Sequence, residues 1–468
     1  MSFTSFDFLI FLPVVFAAYW LMRERRWQNA LLLVASYVFY AWVHPWYAIL
    51  LGASTLIDYF LSRGIEAQPG RKRTFLWLSL LVNLGVLAFF KYYDFFSPAL
   101  ANALTNLGVK ADSLLVQILL PAGLSFYTLK KMSYMFDVSN GTQHSTHSLI
   151  DFALYVSFFP QIVAGPIDRA RKLLPQFEAP RVWKADLFYN AWPLLVMGFF
   201  KKIVIADSIK VIVDQIFSLN APSGIMLWSG SLGFTLEILA DFSAYTDIAR
   251  GIALLLGFET SENFNNPYLS LTPTDFWNRW HITLSTWLRD YIFFPTRRAL
   301  MRARVRIPDV LIQTIPPILT MFLSGFWHGA GWTYVLWGLY YGVLIAGYHI
   351  IGLGGNWKPK TLWSRGLAWL VMFALIVFGW AMFRAPSLTW LWHSIFQVPF
   401  VKGRNDFVVS LIALSMAFVY SLPLWIKFGL DKYLPKDSWL QAVFYALAAA
   451  AILVYINSSS PDFIYFQF

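Results

Sequence analysis

Long apolar stretches, separated by short loops that carry basic residues, recur along the whole chain. A stretch of about seventeen or more apolar residues is long enough to cross the hydrocarbon of a bilayer as a helix. Because lipid offers the backbone no hydrogen-bond partners, a spanning segment must satisfy its own polar groups, as a helix does. The pattern therefore predicts an all-α polytopic membrane protein with about ten to twelve transmembrane helices, plus re-entrant or interfacial helices where polar residues interrupt it.

Composition supports one membrane domain. The chain has 468 residues, of which 58% are hydrophobic and 13% charged, whereas charges make up roughly a quarter of a soluble protein. No sizeable soluble domain fits beside the apolar stretches. We predict a single domain over residues 1–468, with residues 1–400 as the core and residues 401–468 as C-terminal helices and an aromatic tail. The chain has no cysteine, which excludes thiolate metal sites and an acyl-cysteine intermediate.

The basic loops indicate the orientation of the chain. Its net charge of +11 comes from Lys and Arg in short loops between apolar stretches, which is the positive-inside pattern, and we expect no nucleic-acid partner. Arg23, Arg25 and Arg26 follow the first apolar stretch, so the N-terminus is expected outside. The cluster between Arg297 and Arg306 marks another inner loop, and the same counting places the aromatic tail outside.

The segment from Asp275 to Tyr291 combines apolar residues at helical spacing with polar and charged ones. The apolar residues form one stripe of a predicted helix, the polar ones, including Arg289, form the opposite side, and His281 lies at the edge. Such a helix is too polar to cross a membrane alone, so we expect it at the inner interface or along a cavity. Two interpretations stay open: an interfacial helix anchored by Trp and Arg, or a functional site around His281.

His328 ends another apolar run and has Gly325, Gly329 and Gly331 around it. Glycines allow helices to approach closely, and the distance in sequence from the basic loop at residues 297–306 places His328 far from the inner surface. A neutral imidazole there can accept a proton from an attacking hydroxyl and return it to a leaving group. His328 is therefore a candidate catalytic residue, and the alternative is a packed histidine that donates one hydrogen bond.

These segments resemble the membrane-bound O-acyltransferase family and, within it, the bacterial alginate O-acetyltransferase branch. The similarity extends over most of the chain. It is carried by Leu120–Tyr127, Ser157–Ile167, Asp241–Asp247, Asn263–Tyr268, the two histidine segments and the aromatic tail Phe463–Phe468. The resemblance implies a ring of tilted helices around a central funnel or tunnel, where donor and acceptor meet from opposite faces.

The resemblance also implies roles for individual residues. His328 and His281 match the two histidines of the family, which makes both candidate catalytic residues. In the related D-alanine system, a small partner protein ends in a similar aromatic tail whose tyrosine is a proposed acyl relay, and that tyrosine corresponds to Tyr465. In a chain without cysteine, a phenolic oxygen is a suitable carrier for an acyl group.

The branch uses acetyl groups, with acetyl-CoA as a cytosolic donor substrate and no bound cofactor or metal. It hands them to an extracytoplasmic partner protein that esterifies a polysaccharide. We therefore expect an O-acetyltransferase in a bacterial inner membrane, in contact with lipid. Arg289, Arg297 and Arg298 are candidates for holding the phosphates of coenzyme A, although positive-inside topology alone also accounts for them.

Two other functions stay open. Phe276–His281 and Gly165–Arg169 lean toward the D-alanyl transfer proteins of teichoic acid modification, and Asn278 stands where the acetyl branch commonly has a second arginine. The donor would then be a carrier-protein thioester. The non-enzyme alternative is a transporter, which is also built from broken helices and buried polar groups, although the sequence shows no two similar halves.

Overall fold

The computed structural model describes residues 1–107, 118–355, 357–456 and Phe463. These residues form nineteen α-helices and no strand, which confirms the predicted all-α class. In chain order the helices are α1 (Phe6–Leu21), α2 (Arg25–Ala41), α3 (Trp46–Ala67), α4 (Lys72–Asn106), α5 (Leu124–Asn140), α6 (Leu149–Ser157), α7 (Ala170–Glu178), α8 (Ala185–Phe199), α9 (Asp207–Phe217), α10 (Gly224–Leu255), α11 (Pro273–Trp277), α12 (Ile282–Leu288), α13 (Phe294–Met301), α14 (Asp309–His328), α15 (Trp332–Ile350), α16 (Leu362–Arg384), α17 (Leu388–Phe396), α18 (Arg404–Tyr433) and α19 (Trp439–Tyr455).

Six segments of the described chain are long and apolar enough to cross a membrane. They are Trp46–Ala67, Pro69–Pro98, Gly224–Leu255, Asp309–His328, Leu362–Arg384 and Arg404–Tyr433. Even the shortest is about 30 Å long at 1.5 Å per residue, which matches the hydrocarbon thickness of a bilayer. Helix α18 is buried over only 11% of its apolar window, so its side chains face outward, as expected for a helix that contacts lipid.

The chain divides into two compact units. The first comprises Met1–Leu194 and Ile248–Ser261, and the second comprises Leu195–Asp247 and Glu262–Phe468.

The first unit contains a buried ion pair between helices. The ammonium of Lys131 on α5 lies 3.5 Å from the carboxylate of Asp58 on α3, and both side chains are almost fully buried. Asp58 also accepts hydrogen bonds from the hydroxyl of Ser79 (2.5 Å) and the amide of Asn83 (2.7 Å), both on α4. A buried charge is tolerated when partners satisfy it in this way, so the network ties α3, α4 and α5 together.

Two of the stretches that carry the family resemblance pack against each other in this unit. Gly123 adopts φ +76°, and a Cβ atom at this position would lie 2.2 Å from the carbonyl oxygen of Ile162. Beside this contact, Lys130 donates to Gln161 (3.0 Å), which in turn donates to the carboxylate of Asp168 (2.7 Å). A side chain in place of Gly123 would force the two stretches apart.

The second unit contains α10 as far as Asp247 and a cluster of large aromatic side chains. The apolar window of α10 is 78% buried. Trp280, Trp337 and Trp380 are each at most 1% exposed, and the rings of Trp280 and Trp380 lie 4.7 Å apart. Tightly packed aromatic rings leave little room for rearrangement, so this cluster is a rigid base for the candidate site.

Candidate active site

His328 is the last residue of α14, and it is only 4% exposed. Gly329 and Gly331 adopt extended conformations, and α15 begins at Trp332. The short connection turns the chain back on itself. His328 therefore lies at the closed end of a helical hairpin formed by α14 and α15.

Glycines fix the crossing of these two helices. A Cβ atom on Gly325 would lie 2.2 Å from the carbonyl oxygen of Tyr334, and one on Gly338 would lie 2.3 Å from that of Met321. Only a hydrogen atom fits at either position, so the two backbones approach as they do in other small-residue helix contacts in membranes. The close contact holds the end of α14, and with it the backbone of His328.

Aromatic rings surround the imidazole of His328. The ring centroid of Trp327 lies 4.9 Å away, that of Trp337 5.1 Å and that of Phe383 5.4 Å, and all three meet the imidazole edge-on. These neighbours restrict rotation of the side chain and exclude bulk water from it.

His281 lies at a break between α11 and α12, where its backbone is left-handed (φ 42°, ψ 53°). A non-glycine residue in this region costs of order 1–3 kcal/mol, and such residues concentrate at functional sites. The prediction of one helical stripe from Asp275 to Tyr291 is therefore wrong. The segment forms two short helices, because the left-handed backbone of His281 interrupts the right-handed helix. A π-helical turn over Arg289–Phe293 follows the second of them.

Asn263 stabilises the break. Its backbone oxygen accepts a hydrogen bond from the N–H of Ile282 (3.0 Å). Its side-chain oxygen accepts two from Thr283, one from the backbone N–H (3.1 Å) and one from the hydroxyl (2.6 Å). These bonds satisfy donors at the start of α12 that have no partner within the helix. Apolar periodicity does not reveal such a bond from a residue twenty positions away.

Trp327 contacts both predicted histidines. Its ring centroid lies 6.3 Å from that of His281 and 4.9 Å from that of His328. Phe242 on α10 packs edge-on against His281, with ring centroids 4.7 Å apart. The structure thus brings the two histidines, 47 positions apart in sequence, to one aromatic wall.

Burial also determines the charge of His281. This residue lies outside the six apolar spans and is 0% exposed. Burial lowers the pKa of His281 well below its usual range because the imidazolium form loses its hydration. The side chain is therefore a neutral imidazole at physiological pH, with one nitrogen that donates a hydrogen bond and one that accepts.

A cavity of about 350 Å³ lies beside the segment that carries His281. Residues on both sides of His281 in the sequence line it, together with parts of α14 and α15. Its polar lining residues are Thr274, Asn278, Ser285, Thr286, Arg289, Thr320 and His349. The volume is in the range of small-molecule sites. Of the three arginines predicted to bind the donor, Arg289 lines this cavity, whereas Arg297 and Arg298 are exposed on α13.

Phe463, the first residue of the aromatic tail, is buried in the second unit. Phe463 is 1% exposed, and its ring centroid lies 5.2 Å from that of Tyr245 on α10. The ammonium of Lys202 lies 4.6 Å from the centre of the Phe463 ring. Tyr465, the predicted acyl relay, lies outside the described residues.

Two functional candidates that the sequence analysis did not identify are Lys201 and Lys202. Both lie in a π-helix over Phe200–Ala206 that joins α8 and α9. Lys201 pairs with Asp247 (2.6 Å) and Lys202 with Asp241 (2.9 Å), so both lysines reach α10. The sequence does contain a signal for these pairs: two adjacent lysines and two aspartates lie in apolar runs. Charges are tolerated in membrane segments when they are paired, so this pattern indicates ion pairs.

The fold and the site define a membrane-embedded acyltransferase. The sequence model of the membrane-bound O-acyltransferase (MBOAT) family matches residues 67–378, which include both histidines, and the chain belongs to this family. The predicted family, enzyme class and location in a bacterial inner membrane are confirmed.

Curated relatives carry more specific names. The chain is 40% identical over 407 residues to the probable alginate O-acetylase AlgI of Pseudomonas aeruginosa, a match that covers 84% of this chain and 74% of the relative. It is 34% identical over 414 residues to a peptidoglycan O-acetyltransferase of Helicobacter pylori, covering 81% and 76%. A teichoic acid D-alanyltransferase of Bacillus subtilis is 30% identical over 280 residues, covering 56% and 68%.

Proposed function

We propose that this enzyme takes acetyl groups from acetyl-CoA in the cytosol and passes them across the membrane for O-acetylation of an extracytoplasmic polysaccharide. The observation that carries the proposal is the position of His281 and His328 on the same indole, 6.3 Å and 4.9 Å from the ring centre of Trp327. Trp327 thus contacts both His281, whose segment lines the cavity, and His328, the last residue of α14.

The direction of transfer follows from the basic loops. The arginines between Arg297 and Arg306 precede α14, and the positive-inside bias assigns them to the cytoplasmic side. Helix α14 has 20 residues and is therefore about 30 Å long. His328, at its other end, is displaced from the cytoplasmic side by a large part of the bilayer thickness, which suits delivery toward the extracytoplasmic face.

The proposed chemistry uses His328 as the base. A hydroxyl attacks the thioester carbonyl of the donor, and an imidazole nitrogen of His328 accepts the hydroxyl proton as the carbon–oxygen bond forms. The carbon–sulfur bond then breaks, and His328 returns the proton to the leaving thiolate. Because the chain has no cysteine, a covalent acyl intermediate on oxygen fits this sequence, and the phenol of Tyr465 is the proposed carrier.

The donor is proposed to enter by the cavity beside His281. A guanidinium and several hydroxyl and amide groups line it, and these are suitable partners for the polar groups of an acyl-CoA. Arg289 would contact a phosphate within the cavity, while Arg297 and Arg298 would attract the anionic donor from the exposed side. His281, as a neutral imidazole, is proposed to position the donor by hydrogen bonding. Acetyl-CoA is a substrate in this scheme, and no bound cofactor is invoked.

The acceptor side is proposed from the relatives. Two of them are named for O-acetylation of alginate and of peptidoglycan, and both of these polymers are polysaccharides. We propose a polysaccharide of the cell envelope as the final acceptor and an extracytoplasmic acetyltransferase as the partner protein, with membrane lipid around the spanning helices.

A second candidate function is D-alanyl transfer from a carrier-protein thioester to a cell-envelope polymer. It is favoured by the teichoic acid D-alanyltransferase relative, although that match covers only 56% of this chain. The longer match to O-acetylating relatives supports the acetyl donor.

The test uses the full chain in proteoliposomes, supplied in turn with labelled acetyl-CoA and a labelled D-alanyl carrier protein. We expect label to leave acetyl-CoA, and replacement of His328 by Ala to abolish this release. His393→Ala is the matched control, because His393 is exposed on α17. Transfer from the carrier alone would establish the second function, and undiminished transfer by His328→Ala would exclude His328 as the base.

A further inference from the structure

The ring of Phe463 packs against Lys202 and Tyr245, and we call these two residues the seat of the ring. One face of the ring lies near the ammonium of Lys202, at 4.6 Å from the ring centre, and Tyr245 meets the ring edge-on. An ammonium over an aromatic face is attracted by the negative face of the ring, and the attraction is stronger away from water. Since Phe463 is 1% exposed and the Lys202 side chain 1% exposed, the contact is desolvated.

Lys202 is held firmly at this seat. Its ammonium lies 2.9 Å from the carboxylate of Asp241 on α10 and 2.9 Å from that of Asp207 at the start of α9. Burying an ion is costly unless partners satisfy it. An apolar residue would hold the Phe463 ring without this cost, so the buried charge of Lys202 indicates a more specific role. The π-helix over Phe200–Ala206 brings Lys202 to this position, and single π-helical turns within α-helices occur frequently at functional sites.

Neighbouring residues of α10 contact the seat and the histidine site. Asp241, which holds Lys202, is followed in the chain by Phe242, whose ring lies 4.7 Å from that of His281. Tyr465 follows Phe463 by two residues in the sequence. A residue that fixes the Phe463 ring is therefore a candidate for a role in the proposed transfer through Tyr465.

We propose that Lys202 is a positioning residue for acyl transfer: through its contact with the Phe463 ring, it holds Phe463 against α10, beside the aromatic site that contains His281. The proposal rests on the proposed function, in which the tail takes part in transfer. In this role Lys202 acts through the Phe463 ring.

The experiment reduces the negative charge on the face of the Phe463 ring while nearly keeping the shape of the side chain. Phenylalanines with one, two and three fluorine atoms are incorporated at position 463 of the full chain, because fluorine withdraws charge from the ring face and weakens its attraction for a cation. We expect the rate at saturating donor to fall stepwise, by about fivefold or more over the series. The donor KM and the melting temperature should stay unchanged, since the fold and the donor cavity are untouched.

Phe152 provides the matched control. It is fully buried and packs against the ring of Tyr134, with centroids 4.8 Å apart, and the same fluorinated residues there should leave the rate unchanged. A flat rate over the series at position 463 would overturn the role of Lys202. A second variant, Phe463→Leu, keeps an apolar side chain without a ring face and should lose as much activity as the trifluorinated residue, and normal activity would again overturn the proposal.

The Tyr465→Phe variant distinguishes a failure of the Lys202 proposal from a failure of the proposed relay. If Tyr465→Phe is inactive while the fluorinated series is flat, the tail is a relay and Lys202 does not position it. If Tyr465→Phe is fully active while the series falls, the relay is excluded, but Lys202 still positions a tail that the reaction requires.

Discussion

The side-chain oxygen of Asn263 accepts two hydrogen bonds from Thr283, at 3.1 Å from its backbone nitrogen and 2.6 Å from its hydroxyl. Thr283 follows His281 by two residues, so these bonds hold the start of α12 and the left-handed turn that precedes it. Asn263 is itself 1% exposed. The orientation of His281 therefore depends on the side chain of Asn263.

The first prediction concerns this turn. Asn263→Ala removes both hydrogen bonds from Thr283 to the Asn263 side chain, and the loss of such a bond by a buried donor costs about 1–3 kcal/mol. We expect acyl transfer to fall by about tenfold or more, and Thr283→Val to have a smaller effect because it removes only the hydroxyl bond. Initial rates at matched protein levels in membranes check this. Asn190→Ala, at an exposed position on α8, should behave as the unchanged protein, and a normal rate in Asn263→Ala would contradict the prediction.

The second prediction concerns the crossing of α14 and α15. Gly338→Ala places a methyl group 2.3 Å from the carbonyl oxygen of Met321, so the helices must separate, at a cost of about 1–3 kcal/mol for such overpacking. Because His328 ends α14, we expect both a lower melting temperature in detergent and a loss of transfer activity. Gly347→Ala on the same helix meets no atom within 4 Å and should preserve both properties. Equal melting temperatures for the two variants would show that the crossing tolerates a side chain.

The third prediction concerns pH. Burial depresses the pKa of His281, so lowering the pH from about 8 to about 5, the range in which an unperturbed histidine gains its proton, should leave His281 neutral. We expect His281→Asn to reduce the rate while the plot of log(kcat/KM) against pH keeps the shape it has in the unchanged protein. Loss of the acidic limb in this variant would show that His281 titrates within the range and carries a proton in the reaction.

Much of the fold follows from sequence because the bilayer imposes a simple rule. Lipid satisfies no backbone group, so the apolar stretches must be helical, and the structure has helices where the long stretches occur, as at Asp309–His328 and Leu362–Arg384. The sequence also indicates His328 and His281 as candidate site residues, His328 partly because an imidazole in an apolar run is costly.

The missing parts of the site depend on contacts that no periodicity encodes. The turn at His281 is stabilised by Asn263, twenty positions away, and the helical spacing around His281 suggested an unbroken helix. Lys202 reaches Phe463 across about 260 residues of sequence, from a π-helix that the pattern of apolar residues does not distinguish from an α-helix. Such relationships require the tertiary structure because the partners come from separate elements.

The fourth prediction concerns the donor. Arg289 lines the cavity beside His281, and a hydrogen bond to a charged group contributes about 1.5–3 kcal/mol. We expect Arg289→Gln to raise the half-saturating concentration of acetyl-CoA by about tenfold or more, with a much smaller change in kcat. Arg365→Gln is the matched control, since Arg365 is exposed near the start of α16. An unchanged KM in Arg289→Gln would remove Arg289 from the donor site.

The last prediction concerns the acyl carrier. If Tyr465 is the relay, incubation of the full chain with labelled acetyl-CoA without acceptor should add one acetyl group to the tail. Intact-protein and peptide mass spectrometry would locate it. Because Tyr465 would carry the acetyl group and His328 would accept the proton of its hydroxyl, the adduct should disappear in Tyr465→Phe and in His328→Ala. Transfer to the acceptor at a normal rate by Tyr465→Phe would show that the acetyl group passes directly from the donor.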